Sequence, residues 1–158
     1  MENAKELAHR FQEVMLDGKW IANTNFQDQL SQTTFEQATQ KIGELNTILA
    51  LTYHVDYYIA GLNNFFEKGQ LEIRDKYSFD HPEIKNQADW DQLRMSLMND
   101  SKVFVNHVAN LSPDQLEAVF VDPKYGTYRR NIEGMIEHAY YHLGQVVLLR
   151  KLLALEAS

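Results

Sequence analysis

Residues 137–145 read "EHAYYHLGQ" and place two histidines, His138 and His142, four positions apart. In an α-helix this spacing puts both imidazoles on one face. Met135 and Leu149 fall on the same face, and apolar neighbours are typical of a face that points into a protein core. The stretch therefore predicts a helix with two inward histidines. Such a pair either binds a metal or, more often, is two hydrogen-bonded or solvated residues.

The apolar residues on both sides of this stretch recur at helical rather than strand spacing. Thr33 with Glu36, and Asn86 with Asp89, are typical N-terminal cap pairs, and "SPDQ" at 112–115 predicts a short additional helix. Four long helices are predicted near 3–17, 34–67, 87–110 and 129–154. The predicted fold class is all-α, a four-helix bundle with long connections.

The composition indicates one globular domain over residues 1–158, with 44% hydrophobic and 23% charged residues and no linker or repeat. The formal charge of −7 argues against nucleic acid and anionic lipid, since both are bound by basic surfaces. The longest apolar stretch, "VVLLRKLLAL", is interrupted by two cations and is too short to span a bilayer. The first residues lack the pattern of a secretory signal, so a cytoplasmic protein is expected. There is no cysteine, so any thiol chemistry needs a thiol supplied by the substrate.

A third histidine, His54, has the same inward character. It shares a helical face with Leu51, Tyr58, Leu62 and Phe65. Three imidazoles that project into one core from two helices can form a facial metal site, and neutral imidazole suits zinc, nickel and ferrous iron. The remaining histidines are predicted to be surface residues: His9, His81 and His107.

Two other metal motifs do not match the sequence. "HAYYH" has zincin spacing, but Ala139 stands where the general-base glutamate belongs. A di-iron carboxylate bundle needs Glu-x-x-His on two helices, and the only such spacing is Glu6 to His9.

The chain resembles the DinB-like superfamily, which includes bacillithiol transferases and mycothiol-dependent maleylpyruvate isomerase. The matching segments are "LTYHVDYYIAGL" at 51–62 and "IEHAYYHLGQ" at 136–145, and "DKYSFD" and "KYGTYRRN" are similar to segments of a poorly characterised branch. The resemblance implies a four-helix bundle that holds one divalent metal ion through a histidine of helix two and two histidines of helix four. In this sequence those ligands are His54, His138 and His142.

The resemblance and the residues together lead to an expected function. Three neutral imidazoles leave a zinc, nickel or iron ion with open coordination positions. The protein is therefore expected to be a metal-dependent enzyme that transfers a low-molecular-weight thiol to an electrophile or hydrolyses a small substrate. The alternative is a non-catalytic, metal-stabilised binding or regulatory module. Relatives often dimerise, so a homodimer is expected.

Two side chains near the ligands have two readings each. Gln145 either hydrogen-bonds a metal-bound ligand or fills a gap between helices. Asp56 is either an acceptor for a ligand N–H or a surface aspartate. Gly144 is expected to let a neighbouring helix approach closely.

Overall fold

A computed structural model describes residues 2–156, and these residues form seven α-helices with no β-strand. The long helices are α1 (Ala4–Gln12), α4 (Ile48–Lys68), α5 (Gln87–Ala109) and α7 (Tyr128–Glu156), and the short ones are α2 (Phe26–Ser31), α3 (Phe35–Thr39) and α6 (Pro113–Glu117). A π-helical turn, Glu13–Asp17, extends α1, and two 3₁₀ turns occupy Asp75–Tyr77 and Pro123–Tyr125. Within the described range, no helix is both long and apolar enough to cross a membrane. The all-α prediction is confirmed.

The long helices contact one another in a closed ring: α1 packs on α5, α5 on α4, α4 on α7 and α7 on α1. Their apolar faces meet in one core, in which the rings of Phe11 and Phe104 lie 4.6 Å apart between centroids. Trp90 is fully buried, and its indole N–H donates to the carbonyl of Thr33 at 2.8 Å. A buried indole N–H needs such a partner, so this bond ties the start of α5 to the connection before α3.

The prediction of one helix over residues 34–67 is wrong. The helix ends at Thr39, Gly43 has a positive φ of 53°, and Thr47 caps a new helix by accepting from the Ala50 N–H. Leu45, which would continue the apolar stripe in an unbroken helix, is half exposed. Glycine adopts positive φ readily and threonine is a favoured N-cap residue, so Gly43 and Thr47 favour the end of one helix and the start of another.

The other predicted boundaries agree more closely with the structure. The helices predicted near 3–17, 87–110 and 129–154 are confirmed, as are the cap at Asn86 and the short helix after Ser112. The capping box before the second helix lies one residue later than predicted, because Thr34 and Gln37 form it. The predicted polar connection after α1 contains an unpredicted helix, α2, which buries Phe26 and Leu30.

Residues 70–81, here called the strap, cross the outside of α4 without regular structure apart from one 3₁₀ turn. The Tyr57 hydroxyl both donates to the carbonyl of Arg74 and accepts from its N–H, at 3.0 and 2.9 Å. The Tyr58 hydroxyl donates to Asp75 Oδ1 at 2.9 Å. Two tyrosines of α4 therefore hold the strap against the helix.

Ile73 of the strap packs against Gly61 of α4. A Cβ at this position would overlap the Cγ2 atom of Ile73. We expect Gly61→Ala to lower the free energy of unfolding by about 1 to 2 kcal/mol, because the overlap exceeds the gain in helix propensity. Gly134→Ala is the matched control, because a Cβ there meets no atom within 4 Å, and it should stabilise the protein slightly. Urea unfolding of both variants measures the difference, and an unchanged midpoint for Gly61→Ala would contradict the close packing.

Candidate metal centre

The three predicted ligands lie together between the middle of α4 and the middle of α7. The Nε2 atom of His138 is 3.1 Å from that of His54 and 2.9 Å from that of His142. One ring nitrogen from each residue can be chosen so that all three lie within 4.8 Å of one another. Nitrogen ligands bonded at about 2.0 to 2.1 Å to one ion stand about 2.9 to 3.4 Å apart at the angles of octahedral or tetrahedral sites. The His138–His54 and His138–His142 separations fit that range, and the His54–His142 separation is bounded only by the wider limit of 4.8 Å.

Acceptors behind two of the rings fix which nitrogen carries hydrogen. The Nδ1 atom of His54 lies 3.3 Å from the carbonyl oxygen of Ser78, and that of His142 lies 2.6 Å from Oε1 of Gln145. A carbonyl oxygen only accepts, so each Nδ1 is the donor and each Nε2 is left with a lone pair. Gln145 hydrogen-bonds the ring of His142, a contact that neither reading of this residue described.

The surroundings keep these imidazoles uncharged. Burial, together with the neighbouring His142 and His54, lowers the pKa of His138 to about 4. Burial is also the main cause of the lowered pKa of His54 and of His142. Neutral imidazole is the form that binds metal, so the site is held in its ligating state at neutral pH.

Aromatic rings enclose the cluster on the side of the strap. Phe79 stacks on His54 with centroids 4.1 Å apart and planes 10° apart, and Tyr58 meets His54 and His138 edge-on. Sequence reasoning missed Ser78 and Phe79, although both lie in the "DKYSFD" segment that carries part of the resemblance. Their contacts with α4 come from the course of the strap, which no local pattern predicts.

No fourth protein ligand belongs to this cluster in the described part of the chain, where His54, His138 and His142 form the one group of three or more acidic, histidine or cysteine side chains close enough to share an ion. Asp56, considered as an acceptor for a ligand or as a surface residue, is neither. It is 8% exposed and interacts with Ser96 and Asp100 of α5. Burial, together with the charge of Asp100, raises the pKa of Asp56 to about 7.

The remaining predictions about single residues have mixed outcomes. His9 and His81 are exposed, as predicted. His107 was predicted to be solvated, which is wrong, because its ring is partly buried and stacks on Phe66 with centroids 5.2 Å apart. The predicted packing role of Gly144 is also wrong, because it is exposed and a Cβ there would meet no atom within 4 Å.

Gln145 should tune metal binding through the ring of His142. We expect Gln145→Leu to weaken Zn²⁺ binding about 10- to 100-fold, because the ring loses the acceptor that fixes its tautomer and orientation. Gln145→Glu is the matched control, since a carboxylate at the same position still accepts from Nδ1 and should preserve the affinity. Competition titration with a chromophoric chelator measures both, and equal affinities for Gln145→Leu and the wild type would contradict an orienting role.

A cleft of about 500 Å³ opens beside the cluster, and His138 forms part of its wall. Its lining comes from α4, the strap, the segment before α7 and the first turns of α7, including Leu62, Ile73, Phe120 and Met135. A small molecule in this cleft would therefore reach the histidine cluster from the side of His138.

Comparison with known proteins found no matching family model, no matching curated protein and no matching solved structure. What the site can do is therefore inferred from its residues and their geometry.

Proposed function

We propose that this protein binds one divalent metal ion through His54, His138 and His142 and is a metal-dependent enzyme acting on a small molecule. The reaction is transfer of a low-molecular-weight thiol to an electrophile or hydrolysis of a small substrate. Zinc, nickel and iron all accept three imidazoles, and their availability decides which is bound. The observation that carries the proposal is the proximity of three imidazole Nε2 atoms. Together they carry too few N–H groups for hydrogen bonds to account for both short contacts.

The number of N–H groups available to the three imidazoles supports a cation between them. The Nε2 atoms of His54 and His142 both carry lone pairs, because their Nδ1 atoms donate elsewhere. His138 can offer at most one Nε2–H to the two bare nitrogens beside it, at 3.1 and 2.9 Å. One short contact is therefore left without a proper hydrogen bond, which is costly in a buried site. A divalent ion accepts all three lone pairs at once.

The surroundings favour a catalytic centre over a structural one. Structural zinc sites are closed by four protein ligands, whereas catalytic sites keep a position open for substrate. The described residues supply three ligands here and a cleft next to one of them. An ion held by neutral imidazoles supplies a Lewis acid that can acidify a water molecule or take up a thiolate.

The protein's own residues prepare the site for such chemistry. The Ser78 carbonyl and the Gln145 amide hold two ligand rings in the right tautomer, and Phe79 covers His54 and keeps water from that side. The chain has no cysteine, so in the transfer reaction the thiol is a substrate.

The test begins by measuring the metal content of untagged protein purified from cells grown with zinc, nickel or iron supplied in turn. The loaded protein is then assayed for conjugation of small thiols to an aryl chloride and for hydrolysis of nitrophenyl esters. Stoichiometric metal with either activity, abolished by a chelator and restored by metal, is the expected result. Bound metal with neither activity would favour the non-catalytic module, and failure to bind any of the three metals would reject the proposal.

The same residues support a DinB-like fold. The ring of α1, α4, α5 and α7 is compatible with a four-helix bundle, and the three histidines stand on the second and fourth of these long helices. An experimental structure that superimposes on DinB-like proteins over the full ring is the test of this assignment.

The homodimer and the cytoplasmic location stay predictions. Tyr141, Leu148 and Leu155 are exposed on one side of α7, seven residues apart, and a second copy could cover them. We expect light scattering at tens of micromolar to give twice the chain mass. We expect Leu148→Glu to shift the protein toward monomer, and a monomeric wild type would contradict the prediction.

A further inference from the structure

Apolar side chains form one part of the wall of the cleft beside His138. Leu62 of α4, Leu71 and Ile73 of the strap, Phe120 and Met135 together form walls that come from four separate segments. Gly61 lets Ile73 pack directly against α4, so the strap wall lies close to the helix. With a volume of about 500 Å³, the cleft falls within the range of sites for small molecules.

Several polar side chains of the cleft already have partners. The Tyr58 hydroxyl donates to Asp75, the Asn131 amide donates to the carbonyls of Tyr125 and Thr127, and Arg130 pairs with Glu137 at 3.3 Å. These bonds engage part of the polar lining, and a hydrocarbon need only displace water from the apolar part. The apolar part of the wall therefore favours an apolar group.

Gly134 leaves room for that occupant. It lies in the cleft wall one helical turn before His138, and a Cβ at Gly134 would meet no atom within 4 Å. Residues four apart on a helix lie on the same face, so space above Gly134 continues toward the His138 ring.

We propose that this cleft binds the apolar portion of the substrate, an inference that rests on the proposed metal centre. The substrate is a small molecule with a metal-binding group at one end and an alkyl or aryl portion of about six to ten carbons, which suits a cleft of this size. In thiol transfer this portion belongs to the electrophile, and in hydrolysis it belongs to the acyl or aryl group next to the bond that water cleaves.

The test uses two hydroxamic acids that share one metal-binding head. Acetohydroxamic acid reaches the ion alone, whereas octanohydroxamic acid adds six methylenes for the cleft. Each fully buried methylene multiplies affinity about fourfold. Because part of the chain stays exposed, we expect octanohydroxamic acid to bind the Co²⁺-loaded protein at least about 30-fold more tightly. Calorimetry and the visible spectrum of the Co²⁺ ion measure binding, and metal content is checked after dialysis.

Gly134→Leu is designed to fill the cleft without touching the ligands, and a leucine replaces a glycine favourably in a helix. We expect it to reduce the preference for the longer chain to within about threefold while leaving acetohydroxamate affinity unchanged. Gly144→Leu is the matched control: it also lies on α7 with no atom within 4 Å of its Cβ, but outside the cleft lining, and it should keep the full preference.

The outcomes separate this inference from the proposed function. Equal binding of the two acids to the wild type, or an undiminished preference in Gly134→Leu, would overturn the apolar subsite and leave the metal centre standing. Failure of the protein to load Co²⁺, or of acetohydroxamic acid to bind the loaded protein, would overturn the open metal centre and the subsite with it.

Discussion

Alanine at His54, His138 or His142 is expected to lower the affinity for Zn²⁺ by at least about a hundredfold. Loss of one ligand removes a metal–nitrogen bond, and even loss of a residue that only orients a ligand costs about 10- to 100-fold. The effect should be similar at the three positions, because each ring offers one nitrogen to a cluster whose three nitrogens lie within 4.8 Å of one another. Metal content after dialysis and competition with a chelator measure it.

Thermal unfolding gives a second readout of the same prediction. A ligand present at a thousand times its dissociation constant adds about 4 kcal/mol to the free energy of unfolding, which for a chain of this size raises Tm by about 8 to 16 °C. Wild-type protein should show this rise with Zn²⁺ and the three ligand variants should not. His107→Ala is the control, since His107 lies on α5 outside the cluster, and this variant should keep the full rise. Stoichiometric metal in any of the three ligand variants would contradict the assigned ligand set.

The bounds of the long helices were predictable where the apolar repeat and the capping residues agreed. Helices α5 and α7 follow the apolar repeat, and Asn86 provides an unambiguous start for α5. The segment between Thr39 and Thr47 was not predictable in this way, because Ile42 and Leu45 continue the repeat while the backbone turns. Gly43 at positive φ and the Thr47 cap break the helix here. The apolar pattern does not prevent the break, because Ile42 is only partly buried and Leu45 is exposed.

Part of the candidate site was likewise predictable from the sequence, and part was not. The positions of His138 and His142 follow from helical geometry alone, and the inward face of α4 indicates His54. The groups that orient the rings from outside their own helices were not predictable, since Ser78 and Phe79 reach His54 through a strap of irregular backbone. The surroundings of Asp56 depend on how α4 and α5 are aligned, and no pattern within either helix determines that alignment.

Two carboxyl groups meet where α4 packs on α5. Asp56 is 8% exposed and shares a hydrogen bond with Asp100, which requires a proton on one of the two groups. The Oδ1 atom of Asp56 has no hydrogen-bond partner. Burial raises the pKa of Asp100, and the negative charge of the nearby Glu67 raises it further. Ionising both aspartates in this place is therefore unfavourable.

Asp56→Asn is expected to stabilise the protein at pH 8 by about 1 to 3 kcal/mol, or about 2 to 12 °C in Tm. The pKa of Asp56 is raised from 3.8 to about 7 in the folded state, so the folded protein binds the proton more tightly than the unfolded chain does. The wild type consequently loses stability as pH rises from about 4 to about 7, whereas asparagine carries no charge to bury and can donate to Asp100. The gain should therefore be largest above pH 7 and shrink toward pH 4. Urea unfolding across this range measures it, with Asp80→Asn on the exposed strap as the control that should change little. A gain that is independent of pH, or a loss of stability at pH 8, would mean that the Asp56 carboxyl is not held neutral by its burial against Asp100.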